Sequence, residues 1–120
     1  MDENEVIIGT TVIRKSAFTL DKFLQNQKSI QNFYPQSELV IATNEFDFEE
    51  ELEKCLEKHK IKGRVLAYEE ADFIKGKAWK VAIARNVIRN YTLSQTNANY
   101  LLFIDADMTC DPAVIEIMKG

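Results

Sequence analysis

Four short runs of apolar residues constrain the fold of this chain more than any other feature. The runs cover residues 6–12, 39–43, 65–68 and 100–104, and they are apolar almost throughout. A strand with one solvent-exposed face alternates apolar and polar residues. A strand that is covered on both faces, as in a parallel sheet, is apolar throughout. The runs therefore predict strands of a sheet that is buried between two layers.

Stretches with helical spacing of apolar residues follow each of the four runs. Their expected first residues are, in chain order, a capping Thr19, a capping box of Asp47 and Glu50, Gly76 or Lys77, and a capping Asp111 before Pro112. Parallel strands need crossover connections, and a helix after every strand supplies them. The pattern predicts an α/β fold with a doubly wound, mainly parallel sheet of about four strands.

Length and composition indicate a single domain, residues 1–120, in a reducing compartment. A chain of 120 residues buries about two thirds of its unfolded surface, which suffices for one core. Cys55, Cys110 and the single His59 are too few for a Cys/His zinc site and favour a reduced environment. No apolar run reaches the roughly 18 residues of a membrane span, and the charged start is unlike a signal peptide. The expected location is the cytoplasm.

Several functional classes conflict with the charge and the motifs of the chain. The 15 basic and 19 acidic residues leave a net charge of −4 without a basic stripe, which argues against nucleic acid as a partner. The four glycines cannot form a dinucleotide fingerprint or a P-loop. One histidine without a G-x-S-x-G segment also excludes most hydrolase triads.

Two aspartates, Asp105 and Asp107, follow the fourth apolar run directly. Ligands of open α/β sheets bind outside the carboxyl ends of the strands, where these side chains are expected. Residues i and i+2 of an extended segment point the same way, so both carboxylates can meet one Mg²⁺ or Mn²⁺ ion. The alternative interpretation is a polar turn, with Asp111 as a plain helix cap.

Residues 101–107, an apolar strand that leads into Asp-Ala-Asp, resemble part of the GT-A-fold, family 2-like glycosyltransferases. The segment Ala84-Arg85-Asn86 is similar to the "ARN" helix that precedes the metal motif of that family. The first strand with residues 10–14 and the second strand with residues 38–44 also resemble its opening. The similarity covers essentially the whole chain, as the donor-binding half of a catalytic domain.

The resemblance implies binding of a nucleotide-diphosphate sugar with Mn²⁺ or Mg²⁺, and transfer of its glycosyl unit to an acceptor that the sequence does not identify. The substrate-binding residues that it implies are Thr10, Thr11 and Val12, as the wall of the nucleotide pocket, together with Arg85 and Asp105. Two further candidates are Asn44 and Arg14. Arg14 follows the first strand, where a diphosphate could be met, and an exposed loop charge is the alternative interpretation. By the same resemblance, Asp105 and Asp107 are the metal ligands, and Asp105 contacts the ribose or a metal-bound water. Asn44 stands near the end of the second strand, where the family often has an acid that reads the base, so the base is left open.

For a GT-A-like domain we expect the strand order 3-2-1-4 and a site between strands one and four. An inverting transferase takes its general base from the acceptor half, downstream of the metal motif. Residues 1–120 contain no such segment, so we expect a donor-binding half that is completed by a further segment and is inactive alone. We also expect a further segment, or a second chain as in a homo-oligomer, to cover the open sheet edge.

Two other functions remain open from the sequence. Asp105, Asp107 and Thr109 match the D-x-D-x-[TV] motif of haloacid-dehalogenase-like phosphatases, in which the leading aspartate is the nucleophile. That motif normally follows the first strand, whereas here it follows the fourth. The second alternative is a nucleotide-sugar-binding fragment without catalytic activity.

Overall fold

The computed structural model describes residues 5–69 and 77–119. Strands and helices alternate along the whole described chain, as the apolar runs predict. The elements are β1 (Val6–Thr11), α1 (Leu20–Phe33), β2 (Ser37–Thr43), α2 (Glu49–Lys58), β3 (Gly63–Ala67), α3 (Lys77–Gln95), β4 (Tyr100–Phe103) and α4 (Val114–Lys119). Each expected strand is present within two residues of its predicted bounds.

The four strands form one parallel sheet in the order β3-β2-β1-β4. Strand β1 pairs with β2 on one side, with Gly9 opposite Val40, and with β4 on the other, with Gly9 opposite Phe103. Strand β3 pairs with β2, where Val65 lies opposite Ile41. The expected fold class and strand order are therefore confirmed, and every strand pair is parallel.

Helices cover both faces of the sheet, which explains why the four runs are apolar almost throughout. Helices α1, α2 and α4 pack on one face, where Phe23, Leu52 and Ile115 join the larger core. Helix α3 packs on the other face, where Ile88 joins a smaller core with Ile7 and Val40. Successive strand residues thus enter different apolar layers, because side chains alternate across a sheet.

Two predicted helix caps are wrong in their mechanism, although both helices exist. Short 3₁₀ turns, Arg14–Thr19 and Phe46–Phe48, precede α1 and α2. Thr19 has helical dihedral angles and makes no side-chain cap bond, and no side chain caps α2 either. Because each helix continues from a 3₁₀ turn, the extended geometry that a capping residue needs is absent.

The starts of the last two helices lie close to their expected positions. Helix α3 is described from Lys77, and Gly76 lies outside the described residues. The Asp111 carboxylate accepts a hydrogen bond from the Ala113 N–H at 2.8 Å, and its carbonyl accepts one from the Val114 N–H at 2.8 Å. Asp111 therefore caps the chain reversal, and regular α4 begins at Val114.

A polar cluster joins α3 to the first half of the sheet. The Tyr91 hydroxyl donates a hydrogen bond to the Glu38 carboxylate at 3.1 Å, and the Arg64 guanidinium lies 5.3 Å from the centre of the Tyr91 ring. Burial raises the pKa of Tyr91 above its ordinary value of 10.0, and the neighbouring Glu38 carboxylate raises it further. The neutral phenol is therefore the form that the fold favours.

We expect Tyr91 to contribute stability that disappears at alkaline pH. Because its pKa is higher in the folded state than in the unfolded state, the contribution is complete below pH 10.0 and is lost as the pH rises through the folded pKa. Tyr91→Phe should cost about 1 kcal/mol of unfolding free energy near neutral pH. The difference from wild type should stay constant up to about pH 10.0 and shrink as the pH rises further, through the folded pKa. Urea unfolding of both proteins across this range measures it, and a constant difference would contradict the interpretation.

No helix within the two described ranges combines the length and the apolar character that crossing a membrane requires.

Candidate functional site

The carboxyl ends of β1 and β4 lie side by side at the same end of the sheet. From β1 the chain proceeds outward through β2 and β3, and it then returns to place β4 on the other side of β1. The hydrogen bond from the Ile104 N–H to the Gly9 carbonyl, at 3.0 Å, carries the pairing one residue past β4. The topological switch point of this sheet therefore lies where Asp105 and Asp107 follow β4.

Asp105 and Asp107 lie in a tight turn and not in an extended segment. The Met108 N–H donates a hydrogen bond to the Asp105 carbonyl at 3.0 Å, so Ala106 and Asp107 occupy the centre of the turn. Both aspartates are exposed, whereas Ala106 between them is buried. The i, i+2 argument that assumed an extended chain does not apply here, and the turn itself directs the two carboxylates.

Asp107 lines a small cavity between the turn and the start of α1. The cavity has a volume of about 180 Å³, and its lining includes Lys22, Phe23 and Met108 as well as Asp107. Phe18, which also lines it, leaves 87% of its area exposed. Asp105 is not part of this lining. The two carboxylates therefore have different surroundings, and Lys22 is the cation that lines the cavity with Asp107.

Hydrogen bonds from α1 and the turn before it hold the segment that carries the aspartates. The Thr19 hydroxyl donates to the Ala106 carbonyl at 3.0 Å. The Asn26 amide both donates to the Cys110 carbonyl, at 2.8 Å, and accepts from the Cys110 N–H, at 2.9 Å. These three bonds fix the backbone on both sides of Asp107.

The three candidate residues at the end of β1 differ in access. Thr10 and Val12 are buried, at 3% and 1% exposure, whereas Thr11 is exposed. The Thr10 hydroxyl has no hydrogen-bond partner among the residues that the structure describes. Thr11 thus offers its side chain to a ligand directly, whereas the side chains of Thr10 and Val12 point into the core.

Arg14 is engaged by the β2–α2 connection. Its guanidinium lies 3.5 Å from the Asp47 carboxylate and 3.3 Å from the Glu51 carboxylate, and 5.0 Å from the centre of the Phe48 ring. Its backbone N–H donates to the Glu45 carboxylate at 2.7 Å. A diphosphate at this position would compete with two carboxylates for the same charge.

Arg85 and Asn44 lie at the same end of the sheet as the aspartates. The Arg85 guanidinium is 5.1 Å from the centre of the Phe103 ring, and Phe103 ends β4 just before the Asp105 turn. Asn44 follows β2 directly and is half-buried. An exposed hydroxyl, an amide and two carboxylates therefore lie at or just after the carboxyl ends of β1, β2 and β4, and α3 adds the Arg85 guanidinium at the same end of the sheet.

Two carboxylates are the largest acidic set that the turn provides. Within residues 5–69 and 77–119, no three His, Cys, Asp or Glu side chains form a group that could hold a metal ion. A cation at Asp105 and Asp107 would therefore need further oxygen ligands from water or from a bound phosphate.

Sequence reasoning overlooked the residues that α1 contributes to this site. Thr19 was expected to cap a helix but instead holds Ala106, and Asn26, Phe18 and Lys22 attracted no prediction. The one available signal was Phe18, a large apolar residue outside the four apolar runs. Contacts between residues more than eighty positions apart leave no local pattern in the sequence.

Comparison with known protein families and curated proteins identifies no family for this chain. No protein-family model matches the chain, and no curated protein matches it significantly.

Proposed function

We propose that this chain binds a nucleotide-diphosphate sugar together with a divalent cation, as the donor site of a glycosyltransferase. The observation that carries the proposal is the position of Asp105 and Asp107 at the switch point between β1 and β4. Open α/β sheets bind ligands at this point, because the diverging connections leave a crevice there. The resemblance of residues 84–86 and 101–107 to GT-A-fold enzymes supplies the ligand class.

The charges at the site support an anionic ligand that brings a cation. Two exposed carboxylates repel a diphosphate, and Mn²⁺ or Mg²⁺ between them removes that repulsion. Such ions commonly take one or two protein carboxylates and complete their shell with water and substrate phosphates. Asp105 and Asp107 would hold the ion, which when bound would stabilise the leaving diphosphate. Lys22, which lines the cavity with Asp107, and Arg85, which lies over the Phe103 ring at the end of β4, would contribute positive charge toward the phosphates.

The volume of the Asp107 cavity limits what it accepts. Sites for whole small molecules measure about 300–1,000 Å³, whereas this cavity measures about 180 Å³. We therefore assign it one part of the donor, such as the sugar or a phosphate. The nucleoside would lie outside it, along the ends of β1 and β2 beside Thr11 and Asn44.

Calorimetric titration with UDP and with GDP, each with and without Mn²⁺, tests the proposal. We expect Mn²⁺ to strengthen nucleotide binding by about tenfold or more, and Asp107→Asn to remove most of that gain, because charge-assisted metal–carboxylate contacts are lost. Asp111→Asn is the matched control, since it removes one exposed negative charge from the same segment but leaves the turn at Asp105 intact. Equal affinity with and without Mn²⁺ would refute the cation's role.

A phosphatase assay distinguishes the proposed donor site from the main competing function, a haloacid-dehalogenase-like phosphatase. Hydrolysis of phosphate esters that stops in Asp105→Asn would identify Asp105 as a nucleophile and favour the phosphatase. Metal-dependent nucleotide binding without ester hydrolysis would instead favour the donor site, whether that site belongs to a transferase or to a binding module without catalytic activity.

A further inference from the structure

No strand among residues 5–69 and 77–119 pairs with the outer edge of β3, which is the sheet edge away from the proposed donor site. Within the described residues β3 pairs with β2 alone. The Leu39 N–H donates to the Lys62 carbonyl at 3.1 Å, and the Tyr68 N–H donates to the Thr43 carbonyl at 3.0 Å. The backbone polar groups of a strand turn to alternate sides, so Gly63, Val65 and Ala67 direct theirs outward. An edge of this kind is a template for one more strand.

A groove of about 500 Å³ runs between this edge and α2. Its apolar floor includes Leu56, Ile61 and Val65, each at most 7% exposed. The groove therefore offers backbone hydrogen-bonding groups along one side and an apolar surface beneath, which are the two requirements for binding an extended peptide by strand addition.

The wall of the groove on α2 carries three carboxylates in a row. Glu49, Glu53 and Glu57 all line it, and their side chains make no hydrogen bond or ion pair with any described residue. By contrast, Glu50 pairs with Lys54 at 3.4 Å. The three acids are thus available to charges from outside the chain.

The spacing of these acids matches that of alternate residues in an extended chain. Four residues of an α-helix advance about 6 Å, and two residues of a strand advance about 6.6 Å. In a strand added to β3, every second side chain would point toward α2. Each of these side chains would lie opposite one of the three glutamates. We propose that this groove binds an extended peptide segment of a partner protein with lysine or arginine at alternate positions.

The cations in the groove do not reverse its charge. The Arg64 guanidinium lies over the Tyr91 ring, on the face of the sheet that α3 covers. Lys60 lies in the turn before β3, at one end of the groove. A second copy of this chain fits the edge poorly, because pairing of two β3 edges would bring two rows of glutamates together.

Fluorescence anisotropy with two labelled hexapeptides of equal composition tests the proposal. One peptide alternates lysine and valine, and the other has three lysines followed by three valines. We expect the alternating peptide to bind at least about tenfold more tightly, and its affinity to fall as salt is raised, because only this peptide places a charge opposite each glutamate. Equal affinities for the two peptides would overturn the proposal.

Protein variants and modified peptides then locate the contact. Glu53→Gln should weaken binding about threefold, whereas Glu50→Gln, which removes the same charge from the same helix, should change it less than about twofold. Equal effects of the two variants would indicate unspecific attraction and refute the groove. Two further peptides carry N-methyl groups, one on its lysines and the other on its valines. One of the two should fail to bind, because either the lysine or the valine N–H groups pair with β3. Retained binding in both cases would exclude strand addition.

Sedimentation of the protein alone completes the test. A monomer is expected, whereas a dimer that the alternating peptide fails to dissociate would identify a second copy as the occupant of the edge and overturn the proposal. Nucleotide binding does not enter these measurements, so the proposal stands or falls independently of the donor site.

Discussion

Replacing Gly9 by alanine is expected to destabilise the protein by about 1–3 kcal/mol. Gly9 lies in the central strand β1, and a Cβ atom there would come within 2.9 Å of the Ile88 side chain and 3.1 Å of the Phe103 ring. Ile88 is fully buried, and β1 is paired on both sides, so neither the Ile88 side chain nor the Gly9 backbone has room to move. Helix α3 would have to shift away from the sheet.

Urea unfolding of wild type and Gly9→Ala measures this cost. A suitable control is Ala82→Gly, because it also exchanges glycine and alanine but at an exposed site on α3, where only helix propensity of about 1 kcal/mol is at stake. Unchanged or increased stability of Gly9→Ala would contradict the close approach of α3 to β1.

Ile88→Ala is expected to cost about 2–5 kcal/mol of unfolding free energy. Ile88 is the residue of α3 that is fully buried in the smaller core, where it joins Ile7 and Val40. Its truncation removes apolar contacts and leaves a cavity between α3 and the sheet, which packed neighbours fill only in part. Leu93→Ala on the same helix is the matched control. Leu93 is 68% exposed, so its truncation should change stability by less than about 0.5 kcal/mol.

The double variant Gly9→Ala/Ile88→Ala provides a sharper test of the same contact. Truncation of Ile88 removes the atom that the new Cβ would meet at 2.9 Å. The double variant should therefore lose less stability than the sum of the two single variants, with a coupling of about 0.5–3 kcal/mol. Strict additivity would mean that the two residues do not meet.

Because α3 also carries Arg85, the Gly9→Ala variant should weaken nucleotide binding if the donor site is as proposed.

The position of the carboxylates could be predicted from the sequence, but their geometry could not. A buried-type strand that ends in Asp-Ala-Asp was enough to predict that Asp105 and Asp107 emerge at the carboxyl end of β4. The turn closed by the bond between Met108 and Asp105 is held by α1 and the 3₁₀ turn before it, since Thr19 and Asn26 bind the backbone of the turn and of the residues after it. Nothing in the local sequence distinguishes this turn from a continued strand.

The roles of individual polar residues were the least predictable. Arg14 is a candidate for contact with a diphosphate, and the structure places its guanidinium between Asp47 of the β2–α2 connection and Glu51 of α2. Thr10 is a candidate for the wall of a nucleotide pocket, and the structure buries its side chain. In both cases the deciding neighbour comes from a different element, which local pattern cannot identify.

The sequence by itself determined the number, type and order of the elements. Apolar runs and helical spacing arise from burial of one local face against any apolar partner, so they are visible without knowing which partner that is. Only the tertiary structure decided which side chains share an environment: the α1 contacts around Asp107, the partners of Arg14, the Gly9–Ile88 approach and the acidic groove beside β3. The physical reason is that hydrogen bonds, ion pairs and close packing act over a few ångströms in space, between residues that the chain itself keeps far apart.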